Sequence, residues 1–299
     1  MIEIKKVKKS FEDIVAVSGV SLNIKEKTVF GMLGTNGAGK STLLRMMAGV
    51  IRPDGGKILV DGKNVYLSTE ARSKCFYISD DQFFYPNATA QDMEKFYRVY
   101  YPTFDRKKFK AYVDSFQLPY KRKIAGYSKG MKKQLSILLG ICSNAQYLFL
   151  DETFDGLDPI MRQGVKSIFA KEMEDRNLTP VIASHNLREL EDICDHVGLL
   201  HQGGILLSQD LTALKCNLHK VQLVAENYHP NELGDLFDLV QMSEHGKLVT
   251  MTVRGEEEDI ETAVKTLNPI YYELLPLSLE EIFISETEGI GYDIKNIID

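Results

Sequence analysis

Hydrophobic positions repeat with different periods along this chain, and the periods divide it into elements. Val20, Leu22 and Ile24 alternate with polar neighbours, the two-residue period of a half-buried strand. Residues 57–60 follow the turn Pro53-Asp54-Gly55-Gly56 and predict another strand. The apolar run 28–33 predicts a strand, and residues 41–50, with Leu43, Leu44, Met46, Met47 and Val50, predict a helix. Between 89 and 143 the period becomes helical. Met93, Phe96, Tyr97 and Tyr100 share one face, as do Phe109, Tyr112, Val113 and Phe116, and again Leu135, Leu138, Leu139 and Cys142. These stripes are expected to face a core. Residues 147–150 and 181–183 are near-continuous apolar runs that end in polar residues, as buried parallel strands do when their carboxyl ends carry a site. Val165, Ile168, Phe169 and Met173 predict a crossover helix between them.

After about residue 210 the character changes. Strands are expected at 221–224, 247–253 and 270–275, with a helix at 256–267, and motifs that suggest chemistry stop. The expected organisation is a catalytic domain over residues 1–216, with helices at about 86–143, and an α+β domain over 217–299 whose tail from Glu286 is polar.

Composition narrows the function. The 299 residues carry a net charge of −6, which gives no global attraction for nucleic acid. The runs Lys121-Arg122-Lys123 and Lys132-Lys133 are short and read as solvated faces. Cys75, Cys142, Cys194 and Cys216 show no metal-ligand or CxxC spacing and fit a reducing compartment. No apolar stretch reaches membrane-spanning length, and the first residues lack a signal-peptide core. A cytosolic chain is expected, with any membrane role supplied by a partner.

The strongest local signal is Gly34-Thr35-Asn36-Gly37-Ala38-Gly39-Lys40-Ser41, followed by Thr42, between a predicted strand and a predicted helix. The glycines let backbone N–H groups turn around an anion, and the helix N-terminus adds unpaired donors and its positive dipole end. Lys40 can reach β- and γ-phosphates, and the Ser41 hydroxyl can ligate Mg²⁺. The second signal is an apolar strand ending in Asp151 and Glu152. Asp151 suits a Mg²⁺ shell and Glu152 the activation of water; the alternative is a solvated acidic turn. His185 ends the 181–183 strand on the same sheet edge, either to hold the γ-phosphate or the attacking water, or as a structural histidine. Ser128 is a good N-cap and Gly130 permits close backbone approach, so a second anion-binding helix terminus is suggested beside a plain cap.

Together these residues resemble the ATP-binding subunit of an ABC transporter, over roughly residues 1–215. Gly34 to Ser41 matches the Walker A motif, and Leu148 to Asp151 matches Walker B, with Glu152 as the catalytic glutamate. Residues 127–131 are similar to the signature motif, although Lys129 and Met131 depart from it. Asp155-Gly156-Leu157-Asp158 resembles the D-loop, His185 the switch histidine, and Phe11 the aromatic ring that stacks on adenine, or else a buried strand residue. Asp80 stands where the family's loop glutamine touches Mg²⁺ and water; Gln82 is the weaker candidate.

The resemblance implies a P-loop α/β cassette: a mostly parallel core sheet, an antiparallel β-subdomain and a helical subdomain, here with a small α+β addition. It implies ATP and Mg²⁺ as cofactors, with Lys40, Glu152 and His185 catalytic, Ser41, Asp151 and Asp80 at the metal, and Ser128, Gly130 and Asp158 completing a neighbour's ATP site. It further implies a head-to-tail homodimer, or a heterodimer with a sister ATPase, peripheral to the inner membrane face through a separate multi-spanning permease. The run 185–196 and the ending Leu279-Glu280-Glu281-Ile282-Phe283 look like the ABC-2 bacterial exporter branch. Phe83, Phe84 and Tyr85 are either core or a groove for the permease. Two other readings are a soluble ABC ATPase acting on ribosomes or nucleic acid and an ATP-binding switch with little turnover. The single cassette and the lack of sustained heptads oppose the first of these, and Glu152 and His185 oppose the second.

Overall fold

A computed structural model describes residues 1–225 and 230–288, and the chain divides into two compact units, Met1–Ser208 and Gln209 onward. The first unit begins with β1 (Ile2–Phe11), β2 (Ile14–Ile24), β3 (Phe30–Leu33), α1 (Lys40–Met47), β4 (Gly55–Val60), β5 (Lys63–Asn64), α2 (Thr69–Ser73) and β6 (Cys75–Ile78). Helices α3 (Ala90–Tyr100), α4 (Arg106–Ser115) and α5 (Lys129–Cys142) follow. The unit closes with β7 (Tyr147–Asp151), α6 (Pro159–Arg176), β8 (Thr179–Ser184), α7 (Leu187–Glu191), β9 (His196–His201) and β10 (Gly204–Asp210).

Two sheets organise this unit. An antiparallel sheet runs β2-β1-β4-β5, with Ile2 paired to both Ile24 and Val60. A six-stranded sheet runs β10-β9-β3-β8-β7-β6, in which β9, β3, β8, β7 and β6 are parallel. Strands β3, β7 and β8 are buried at every position, which is why their sequences read as apolar runs rather than alternating ones. The core between the sheets joins Ile2, Ile4, Val20 and Ile24 to Leu43, Met46, Tyr147 and Phe149. Parallel register has a functional result. Leu33 lies opposite Ser184, and Asp151 opposite Ala183, so the loops after β3, β7 and β8 leave the sheet side by side.

The expected helical stripe is core throughout in α5; in α4 Phe109 and Val113 are buried while Tyr112 and Phe116 are half-buried, and the α3 stripe is core only in part. Met93 is buried, whereas Tyr100, at the carboxyl end of α3, is 64% exposed. The Lys132-Lys133 run also differs from expectation. Lys133 is fully buried, since α5 packs that face against the sheet edge.

The second unit contains α8 (Leu211–Cys216), β11 (Leu218–Val224), α9 (Pro230–Leu236), β12 (Asp238–His245), β13 (Leu248–Arg254), α10 (Glu257–Thr266), β14 (Tyr271–Leu275) and α11 (Leu279–Glu288). From β11 to β14 the order is βαββαβ, with an antiparallel sheet β12-β13-β11-β14, the split βαβ arrangement. One sheet face supplies Val221, Leu223, Val249, Met251 and Val253, which pack with Leu233, Phe237, Ile260 and Val264 of α9, its carboxyl end and α10. Residues 289–299, most of the expected polar tail, and the Cys216 side chain lie outside the described residues. Cys75, Cys142 and Cys194 are free, buried thiols. No described helix is long and apolar enough to cross a membrane.

Candidate functional site

The loop after β3 is shaped by close packing. A Cβ at Gly34 would sit 2.4 Å from the Leu200 carbonyl oxygen. One at Gly39 would sit 2.3 Å from the Ala16 carbonyl oxygen, and Gly39 also takes a left-handed φ of +100°. Any side chain at either position would push the loop off β2 and β9. Thr35 closes the turn by accepting the Ala38 N–H at 3.1 Å, and α1 then starts at Lys40. Gly37, Asn36 and Thr42 complete the curve around the helix N-terminus.

Lys40 is 6% exposed and lies along the loop. Its Nζ donates to the Gly34 carbonyl and to the Thr35 carbonyl at 3.1 Å, and lies 3.3 Å from Glu152 Oε1. Ser41 Oγ donates to Asp151 Oδ1 at 2.8 Å. The Tyr77 hydroxyl donates to Asp151 Oδ2 at 2.8 Å and accepts from Arg45 Nε at 3.1 Å. Burial pushes the Asp151 carboxyl above the usual carboxylate range, against the opposing hydrogen bonds from Ser41 and Tyr77. Burial likewise pushes the Tyr77 phenol up to about 12, so it stays a donor. The Arg45 guanidinium is shifted further upward by its bond to Tyr77.

Glu152 is held at several points. Its φ is +47°, a conformation that costs a residue with a side chain roughly 1–3 kcal/mol and persists only where the surroundings fix it. Its N–H donates to Ala183 O at 2.9 Å, and its carbonyl accepts from Lys133 Nζ at 2.7 Å. Its Oε2 lies 2.8 Å from His185 Nδ1, a ring N–H facing a carboxylate. The segment carrying His185 is fixed behind it: Ser184 Oγ donates to the buried Glu189 carboxylate at 3.0 Å and accepts the Asn186 N–H at 2.9 Å. Burial raises the Glu189 carboxyl above its ordinary value.

Ser41 with Asp151, and Lys40 with Glu152 and His185, therefore form two bonded groups that are adjacent along the chain, at the carboxyl ends of β3, β7 and β8. Asp80 follows β6 and joins through Lys133, whose Nζ is 3.4 Å from its Oδ1. Gln82 folds its amide onto the Ser79 and Asp80 carbonyls of its own loop. The remaining expected residues stand outside these groups. Ser128 caps α5 by accepting the Met131 N–H at 3.2 Å, and Asp158 caps α6 by accepting the Met161 N–H at 2.9 Å. Gly130 lies against the Gly156 carbonyl, where an added Cβ would be 3.5 Å away. Phe11 ends β1 with 44% of its surface exposed and Lys9 above its ring at 5.3 Å, so it is not the buried strand residue that was the alternative. Its hairpin runs past the loop at Ala16.

Phe83 and Tyr85 are not core, and Phe84 is half-buried. Phe83 is 72% exposed and stacks edge-on with Tyr85, which meets Phe96 and, through it, Tyr100. Tyr77, Glu189 and Lys133 were not identified from sequence. None breaks a hydrophobic period, and Lys133 was masked by a charge run that looked solvated.

The donor set fits magnesium. A serine hydroxyl and a carboxylate oxygen 2.8 Å apart are hard oxygen ligands. Among the described residues no three His, Cys, Asp or Glu side chains gather to hold a metal unaided.

The chain is similar to known proteins in sequence and fold. A family model described as "ABC transporter" matches residues 17–155. The ABC transporter ATP-binding protein YtrB of Bacillus subtilis is 28% identical over 97% of this chain and 99% of its own. The linearmycin resistance ATP-binding protein LnrL of Bacillus subtilis is 30% identical over 69% of this chain and 68% of its own. The dimeric post-hydrolysis structure of the ATP-binding cassette MJ0796 with ADP and Pi shares the fold, with a TM-score of 0.62 and 22% identity over 71% of this chain and 99% of that one.

Proposed function

Since the chain belongs to the family of ABC transporter ATP-binding proteins, we propose that this ATPase powers export through a separate multi-spanning permease, as a member of the ABC-2 branch. One observation carries the reading: the Glu152 carboxylate is held between Lys40 Nζ and His185 Nδ1, beside the phosphate loop.

Phosphoryl transfer leaves the protein little covalent chemistry; positioning and charge stabilisation do the catalysis. Backbone N–H groups of residues 34–41 cradle the phosphates, and Lys40 turns from the loop carbonyls to the γ-phosphate. Glu152 accepts a proton from the attacking water, and His185 orients that carboxylate and meets the γ-phosphate. Ser41 and Asp151, with Asp80, would hold magnesium, which would supply charge neutralisation for the phosphates. Phe11 stacks on the adenine.

Two copies, or this chain and a sister ATPase, close head to tail over two nucleotides. Ser128, Gly130 and Asp158 of one cassette complete the other's site, and hydrolysis reopens the pair. The exposed Phe83, Tyr85, Val99 and Tyr100 give the permease an apolar docking face, which holds the subunit at the cytoplasmic side of the membrane. The split βαβ unit assists dimerisation or regulates the cycle.

The test is a pull-down of tagged Glu152→Gln protein from native cells, in mild detergent with ATP. A stoichiometric multi-spanning membrane protein is the expected partner, and any sister ATPase would appear with it. Ribosomal proteins or nucleic acid without a membrane partner would overturn the reading.

A further inference from the structure

Lys133 is a fully buried lysine in the half of α5 nearest the site, and a buried ammonium is costly unless it is bonded on several sides. Its Nζ reaches three separate loops. It donates to the Glu152 carbonyl at 2.7 Å after β7, lies 3.4 Å from Asp80 Oδ1 after β6, and lies 3.9 Å from Asp155 Oδ2 further along the β7 loop. Two problems of this site meet there. Glu152 has a left-handed backbone that something must hold. Asp80 brings a carboxylate to the same ammonium that holds the Glu152 carbonyl, in a site that must receive a polyanionic nucleotide.

We infer that Lys133 is a positioning residue that latches the backbone of Glu152 and, by pairing with Asp80, cancels the charge which that aspartate brings to the loop. The inference rests on the ATPase reading of the site. The pair joins the fully buried Lys133 to the exposed carboxylate of Asp80. That pair links the loop after β6 to the helix that Ser128 caps. A lysine bonded only to the Glu152 carbonyl would be a structural strut. The pairing with Asp80 gives it a second role, and the two roles separate experimentally.

The experiment is a double-mutant cycle with Lys133→Met and Asp80→Asn, measuring kcat, KM for ATP and equilibrium binding of a fluorescent ATP analogue. Lys133→Met leaves the Asp80 carboxylate without its cation, and Asp80→Asn leaves Lys133 with only the Glu152 carbonyl and the more distant Asp155. We expect each to lower kcat, Lys133→Met by about tenfold, the rate equivalent of one charge-assisted hydrogen bond. Lys133→Met also weakens analogue binding severalfold, because the Asp80 charge then faces the polyanionic nucleotide without its cation, and the double variant regains that affinity. The double variant, with neither charge, recovers about threefold or more of the lost kcat, and this rescue is what a structural strut cannot give. A double variant no faster than Lys133→Met, or Lys133→Met with wild-type kcat, would overturn the inference. Should Lys133→Met not fold, the exposed Asp80→Asn decides: freeing the Lys133 charge must tighten analogue binding, and an unchanged affinity refutes the pairing. A wild-type protein that binds the analogue without turnover would instead overturn the ATPase reading.

Discussion

Asp151→Asn should stabilise the protein while abolishing its activity. The carboxylate is 2% exposed and lies at the end of a strand buried at every position. Two hydroxyls donate to it at 2.8 Å, from Ser41 and Tyr77. Hydrogen bonds to a charged group are worth about 1.5–3 kcal/mol each, and burying a carboxylate costs several kcal/mol. The direction of its titration says which wins: burial raises the carboxyl despite both bonds, so the ionised form is a net cost to the fold. An amide keeps the shape and about 1 kcal/mol for each bond it retains, and removes the ion burial. The expected gain at neutral pH is about 1–2 kcal/mol, or roughly 2–6 °C in Tm. A group whose folded pKa is raised costs stability above that pKa and is relieved as pH falls through it. The Tm difference should therefore be full at pH 7 and shrink on acidification toward the ordinary value of 3.8. Calorimetry of both proteins in nucleotide-free, chelator-treated buffer across that range is the assay, with ATPase activity measured in parallel. A variant less stable than wild type at pH 7, or a difference that widens with acid, would refute the reasoning.

Glu152→Gln should keep ATP binding and lower kcat by about 10²–10⁴-fold, the span of a general base, as read by single-turnover kinetics beside equilibrium nucleotide binding. Gly39→Ala should cost about 2–3 kcal/mol in urea unfolding, because its methyl would meet the Ala16 carbonyl at 2.3 Å in a left-handed backbone; a neutral result would mean that β2 yields freely. Glu172 is fully buried on α6, bonded by Lys108 Nζ at 2.7 Å and Arg176 Nε at 2.5 Å. Burial raises its carboxyl, but the two cations outweigh burial and leave it below its ordinary value, so its contribution is present near neutrality and lost as pH falls through the folded pKa. Glu172→Ala should cost about 3–5 kcal/mol by leaving two cations unpaired, with kcat per folded molecule unchanged.

Much of the cassette was legible because its signals are local. The central strands read as apolar runs since both faces of the sheet are covered, and the phosphate loop shows itself as glycines between a strand and a helix. Weakly patterned elements were not legible. β12 carries almost no buried residues and so has no period to read, and β6 spans only Cys75–Ile78. The aromatic run at 83–85 could not be divided between core and surface, because exposure there depends on what α3 leaves uncovered.

By itself, the sequence determined the nucleotide chemistry of residues 34–41, 151 and 152, the α/β class, and a change of character after the catalytic region. Each of these is encoded by neighbours along the chain, where backbone freedom and hydrophobic period act over a few residues. Only the tertiary structure decided the partners of the charged groups. It put Tyr77 behind Asp151, His185 against Glu152, and the buried Lys133 between Glu152 and Asp80. Those contacts join residues from separate strands and helices, and a charge meets its partner only once parallel register has brought the strand ends side by side and burial has removed the water that would otherwise have solvated it.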